Sequence, residues 1–205
     1  MPQVINNPVT VYKYNELTPE AQDTARMQRG DAMIMDHWWS ECHLDYFRET
    51  LQALGFVNPN AIEFSYQLLG QGYGLSFTGE YEYCAKATKN LSGYTNNTEI
   101  LELAAELDRL QHEQPGDCPI SVSITRNRLS RESHERSVCI TAYDSEGEEC
   151  DELTEALEDR FRYVMQEFYT ILESEYQYLY SEEAMQEYIE NESPVFTQDG
   201  SEFFQ

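Results

Sequence analysis

The segment DELTEALEDRFRYVMQEFYTILESEYQYLYSEEAMQEYIENE occupies residues 151–192 and constrains every other element of the chain. Leu153, Leu157, Phe161, Val164, Phe168, Ile171/Leu172 and Leu179 recur at steps of three and four. That spacing puts one side of a helix against a core. At 1.5 Å per residue, some forty helical residues would span roughly 60 Å. A helix of that length is expected to bend, to break, or to form one whole edge of the molecule. From 144 to 192 the chain carries 17 of its 38 acidic residues, against only Arg160 and Arg162.

Upstream of this segment the apolar period changes repeatedly. Val9 to Tyr14 alternates like a first strand. Thr18-Pro19-Glu20 is a helix start: Thr18 can cap, Pro19 suits the first helical position, and Glu20 suits the positive end. This helix is expected to kink or restart near Gly30-Asp31. A second helical segment continues through Trp38, Trp39, Phe47 and Leu54 to a capping Gly55. Residues 61–84 alternate as a β-hairpin around Gly70-Gln71-Gly72-Tyr73-Gly74. Thr98 is expected to cap a helix that carries Ile100, Leu103, Leu107 and Leu110 and ends at Pro115-Gly116. A second hairpin pairs Ile120, Val122 and Ile124 with Val138, Ile140 and Ala142. Its loop holds Arg126, Arg128, Arg131, His134 and Arg136.

The order β-α-β-β-α-β-β-α predicts an α+β fold. Its antiparallel sheet is built from two β-hairpins plus an N-terminal strand, with helices packed on it and a long acidic C-terminal helix. No Pro-, Gly- or Ser-rich linker divides the chain. Residues 1–192 are expected to form a single α+β domain, with 193–205 as a C-terminal tail. That tail could add a short strand or pack through Phe196, Phe203 and Phe204.

Composition narrows the functional classes. The net charge of −25 and pI near 4.3 repel nucleic acid and anionic membranes. Direct nucleic-acid binding is not expected, and a basic partner protein is. Two Trp, fifteen Tyr and nine Phe can build a core. The opening residues Met1 to Asn7 lack a basic start and an apolar run, and no window reaches ~18 uninterrupted apolar residues. A cytoplasmic protein with no membrane association is therefore expected. Cys42, Cys84, Cys118, Cys139 and Cys150 form no CxxC pair and read as reduced, mostly buried thiols.

Familiar chemical motifs fail on spacing. Gly70 to Gly74 is followed by an alternating strand and no Lys-Ser/Thr, so it is a turn and not a phosphate loop. Counted from Asp144, Gly147 is fourth and Glu155 twelfth, which is out of register for a calcium loop needing its glycine at the sixth position. His37, Cys42 and His43 lack further ligands at metal-site spacing. No metal, cofactor or catalytic residue is expected. The 126–136 arginine loop reads as an exposed hairpin tip or an internal match for the acidic helix.

Several stretches together resemble a family of small proteins encoded by bacteriophages and prophages and commonly labelled antitoxin-like. They are Tyr12 to Ala21, Leu54-Gly55-Phe56, Phe64-Ser65-Tyr66, Gln71 to Gly79, and Phe196 to Gly200. Tyr73 stands where that group more often carries Asp. The resemblance implies a phage-encoded binder and transfers no catalytic residues.

The acidic residues are candidates for partner binding in two patches. The first is Glu148, Glu149, Asp151, Glu152, Glu155, Glu158 and Asp159; the second is Glu182, Glu183, Glu187 and Glu190. Duplex DNA presents one charge per ~1.7 Å of axis. A continuous 151–192 helix would present one per roughly 5 Å, gathered at two ends about 25–30 Å apart. The expected function is non-enzymatic: binding and inhibition of a host defence nuclease or toxin through its basic surface, in the manner of a nucleic-acid mimic. Homo-oligomerisation stays open. The alternatives are an antitoxin-like regulator using apolar and shape contacts, and a metal-dependent hydrolase.

Overall fold

The computed structural model describes residues 9–113 and 118–204. In chain order the elements are α1 (Pro19–Met35), α2 (Trp38–Leu54), β1 (Phe56–Val57), β2 (Glu63–Gln67), β3 (Gly74–Glu82), α3 (Ala87–Leu91), α4 (Thr98–Glu113), β4 (Ser121–Arg126), β5 (Val138–Tyr143), α5 (Asp151–Leu179) and α6 (Glu182–Glu192). The chain divides into two compact units. One is Met1–Trp39 with Ser174–Gln205, and the other is Ser40–Glu173.

The contiguous unit holds the sheet. Its strands run in the order β1-β3-β4-β5, and β2 pairs with the first half of β3. Every pairing is antiparallel. Both expected hairpins are present and the α+β class holds. The alternation explains the faces: Leu75, Phe77 and Tyr81 of β3, Val122 and Ile124 of β4, and Ile140 and Ala142 of β5 are all buried. Helical residues close this face with rings. Phe47 stacks on Phe168 at 4.1 Å and 7°, and Phe161 meets the rings of Phe56 and Tyr81. Phe47, Phe161 and Phe168 are fully buried. Each contributes about 1.5–3 kcal/mol by leaving water.

The two hairpin loops are locked together on this scaffold. Gly70, Gly72 and Gly74 all have positive φ, which the turn requires. A Cβ on Gly74 would lie 2.6 Å from Cβ of His134, and one on Gly72 would lie 2.8 Å from Cγ of Glu132. The Ser65 and Ser133 hydroxyls are 2.9 Å apart. The buried Ser137 hydroxyl lies 3.1 Å from Ser76 and 2.6 Å from the His134 carbonyl.

The other unit is built from both ends of the described chain. Tyr14, Leu17, Ala21, Ala25, Met185 and Phe196 form its core, with Tyr12, Tyr188 and Ile189 against it. Thr18 caps α1 by accepting from the Ala21 amide, as its sequence predicts. The helix runs through Gly30 without restarting, because the glycine leaves room for the Tyr180 ring: an added Cβ would sit 2.4 Å from it. The chain turns only after Met35, at His37, where φ is 56°.

Several expectations are corrected. Residues 9–14 form no strand; Tyr12 makes a single bridge to Phe196 of the tail, and Val9 and Val11 stay exposed. With no apolar cover on that side, alternation alone does not order a strand. Asn97, not Thr98, caps α4: its side chain accepts from the Glu99 and Ile100 amides. The expected stop at Pro115-Gly116 falls outside the described residues. The long C-terminal helix breaks at Tyr180-Ser181, where Ser181 caps α6 through the Ala184 amide. A serine hydroxyl competes well for such amides, so it restarts a helix instead of prolonging one. The cysteines are free, but none is buried: Cys42, Cys118 and Cys139 are exposed. No helix among the described residues is long and apolar enough to cross a membrane.

Candidate partner-binding surfaces

The first acidic patch begins in the turn between β5 and α5. Asp144 accepts from the Glu146 and Glu148 amides, and Gly147 takes φ 81°. A bridge joins Tyr143 to Glu149, and the Cys150 amide donates to the Ala142 carbonyl. Thr154 closes the joint by accepting from the Ala142 amide. The turn therefore presents its carboxylates from a backbone fixed at several points.

Beyond the turn, the α5 side chains sort by period. Leu153, Leu157, Phe161, Val164, Met165, Phe168 and Leu172 are buried. Glu152, Glu155 and Asp159 fall on the opposite side and are exposed, as are Glu148, Glu149 and Asp151. None of these six carboxylates meets a basic side chain among the described residues. Glu158 differs. It is half-buried and pairs with Arg162, which also donates to the Glu135 carbonyl. Its charge is compensated at home and its role is to fix Arg162.

The second patch lies on α6, in the other compact unit. The spacing expected from one straight helix therefore does not apply. Glu182 is structural: it accepts from the Tyr14 hydroxyl at 2.9 Å, from Arg26 at 3.0 Å and from Gln186 at 2.9 Å. Burial works against its ionisation, but those three donors outweigh burial and hold its carboxyl below the usual range. Glu183, Glu187 and Glu190 are exposed. Glu187 also accepts from Tyr178, which raises that phenol.

Sequence reasoning missed how the remaining acids are held. Phenols do much of what cations usually do. Tyr83 donates to Asp108 at 2.5 Å, Tyr169 to Glu173 at 3.0 Å, Tyr180 to Asp31 at 2.8 Å and Tyr188 to Glu202 at 2.5 Å. Desolvation, then the hydrogen bond to its carboxylate, pushes Tyr14, Tyr169 and Tyr188 each up to about 12; for Tyr83 the hydrogen bond leads, to about 12. The signal was present in the chain: 15 tyrosines against 13 lysines and arginines, with Tyr163/Glu167 and Tyr169/Glu173 at i, i+4.

The arginine loop is a tip and not an internal match for the acidic helix. Arg126, Arg128 and Arg131 are exposed and meet no acidic side chain among the described residues, and Arg136 reaches only Glu135, at 3.7 Å. His134 inside the loop is spoken for on both nitrogens. The Arg136 amide donates to Nδ1, so Nε2 carries the proton and donates to Glu132 at 2.6 Å. Ser137 and Ser133 are therefore not served by it as a base. Among the described residues no three His, Cys, Asp or Glu side chains gather as a metal site. His37, Cys42 and His43 belong to no such group among the described residues.

A family model described as a domain of unknown function (DUF8835) matches residues 38–182. No curated protein and no solved structure matches the chain. The match spans the whole contiguous unit with its acidic turn and ends at Glu182, before Glu183, Glu187 and Glu190.

Proposed function

The chain belongs to the DUF8835 family, and since that description assigns no activity, we propose a function from the geometry of its surface: non-enzymatic capture of a basic protein surface. The observation that carries this reading is the exposed, uncompensated face formed by Glu148, Glu149, Asp151, Glu152, Glu155 and Asp159, opposite the buried row of α5. Asp151, Glu152, Glu155 and Asp159 lie within about 12 Å of helix axis, one charge per ~3 Å. That is closer to the ~1.7 Å of duplex DNA than the average over residues 151–192. A nucleic-acid-binding protein would meet this face where it normally meets phosphates. Host defence nucleases and toxins are the target class that the resemblance to phage-encoded, antitoxin-like proteins suggests. The exposed α6 acids Glu183, Glu187 and Glu190 supply a second, independent patch.

Affinity capture from bacterial lysate tests this, using wild type and the E148K/E149K/E152K/E155K variant at low and high ionic strength. Wild type is expected to retain a nucleic-acid-binding protein at low salt and to release it at high salt, where exposed charges are screened. The variant is expected to lose it while keeping the wild-type circular dichroism spectrum. Capture unchanged in the variant, or undiminished by salt, overturns the charge-led reading.

A further inference from the structure

The second hairpin carries opposite charge at its two ends. Arg126 pairs with Val138 at the loop end, and Ser121 with Tyr143 at the other. Past Arg126 lie Arg128, Arg131 and Arg136, four of the protein's 13 basic residues, against Glu132 and Glu135 in the same stretch, so the loop end is net positive. Past Tyr143 lies the acidic turn that opens α5. Five strand steps, about 17 Å, separate the two ends. The arginines of one chain therefore have no way to neutralise the acidic turn of the same chain.

The loop end is also apolar and firmly held. Leu129 is 94% exposed, Leu69 65% and Tyr73 61%. The serine contacts and the glycine approach fix the two loops against each other. Arginine with tyrosine on a preorganised support is the composition of a protein-binding hot spot, and the exposed leucines add apolar area beside it. Nucleic acid is a poor occupant, because the net charge of −25 repels it.

We propose that this tip docks on the acidic turn and the first turns of α5 of a second copy of the chain, giving head-to-tail self-association. Charge complementarity selects the occupant: the copy supplies a fixed anionic face, and its own loop end remains free for the next copy. The contact is heterologous, so it closes into a ring or extends into an open array. This inference shares the acidic face with partner capture but also requires the arginine loop, which capture does not use, so reversal of the loop tests it alone.

Its salt dependence sets it apart. At about 0.01 M salt the Debye length is ~30 Å, and whole-molecule repulsion between copies dominates. At about 0.15 M it falls to ~8 Å, so only charges in contact are felt; at 1 M it is ~3 Å and these too are screened. Association is therefore strongest at intermediate salt.

Sedimentation velocity of the full chain at these three salts, over a range of protein concentrations, tests the proposal. Wild type is expected to form larger species near 0.15 M and to dissociate at both extremes. R126E/R128E/R131E and E149K/E152K/E155K are each expected to weaken association by about tenfold or more, as charge reversal does at steered contacts. An equimolar mixture of the two is expected to associate again, since each restores the other's complement. R128E alone, at an exposed and unpaired position, gives the same direction should the triple loop variant misfold. Wild type monomeric at every salt, association rising steadily to 1 M, a reversed loop that associates like wild type, or a mixture that stays monomeric each overturns the proposal.

Discussion

Tyr81 shows how much a single position can depend on its neighbours. The ring is needed: it is 1% exposed and packs on Phe56 and Phe161. The hydroxyl is a burden: the Cys84 backbone approaches it but makes no hydrogen bond of good geometry. An unpaired buried hydroxyl costs roughly 1–3 kcal/mol. Tyr81→Phe keeps the ring and removes that cost, so it is expected to leave stability unchanged or raise it by up to about 1–2 kcal/mol in urea unfolding. A loss of stability would mean the hydroxyl is satisfied in solution. The inward side of Tyr81 was legible in the alternation Leu75, Phe77, Tyr81; the unpaired hydroxyl was not, because it depends on what three other elements place around it. Asn97 makes the same point, since it and Thr98 are both good caps and only the backbone geometry chooses between them.

At the scale of elements, the amphipathic period located the long helices and both hairpins to within a few residues, but not the short β1 and α3. It failed where an element is defined by company and not by its own sequence. Residues 9–14 alternate like a strand, yet offer the structure only Tyr12 opposite Phe196. The apolar row of α5 and α6 runs on through Leu179 to Met185, and the break came from Ser181, a residue with no weight in a hydrophobic pattern. The charged side of these helices has a further property. Tyr14, Tyr169, Tyr178 and Tyr188 all donate to carboxylates on or beside α5 and α6. Their folded values lie above the ordinary phenol value of 10. Groups raised on folding contribute stability that is complete below the unfolded value and lost as pH rises through the folded one. Alkaline titration is thus expected to leave these phenols protonated past pH 10, then to ionise them together with loss of helical signal toward pH 12. Tyrosinate absorbance alongside circular dichroism checks this; early, non-cooperative titration of all fifteen tyrosines would contradict it.

At the scale of the whole molecule, acid should act unevenly. Of the carboxyls held below their ordinary range among the described residues, Glu182 and Asp199 lie in the unit built from residues 1–39 and 174–205, and Glu106, beside Arg109, lies in the other. Burial opposes ionisation of Glu182, but Gln186, Tyr14 and Arg26 prevail; the Thr197 hydroxyl and Ser201 amide lower Asp199. Carboxyls depressed on folding contribute stability that is present above their unfolded values and lost as pH falls through the folded ones. The unit that holds Glu182 and Asp199 is expected to unfold first below the ordinary carboxylate range. Tyr188 and Tyr81 belong to different units, and their hydrogen-exchange neighbourhoods report each separately; a single coincident transition would count against the expectation. The division into units carries one more consequence, for the order of events during synthesis. Residues 40–173 are contiguous, so the sheet and its aromatic core need no residue made after Glu173. The other unit needs Phe196 beside Tyr12 and Tyr14, so it must wait until residue 196 has left the ribosome. Its α1 residues, including Ala21 and Ala25, spend translation without their partners. Any nascent-chain factor that shields apolar surface would meet this protein at α1.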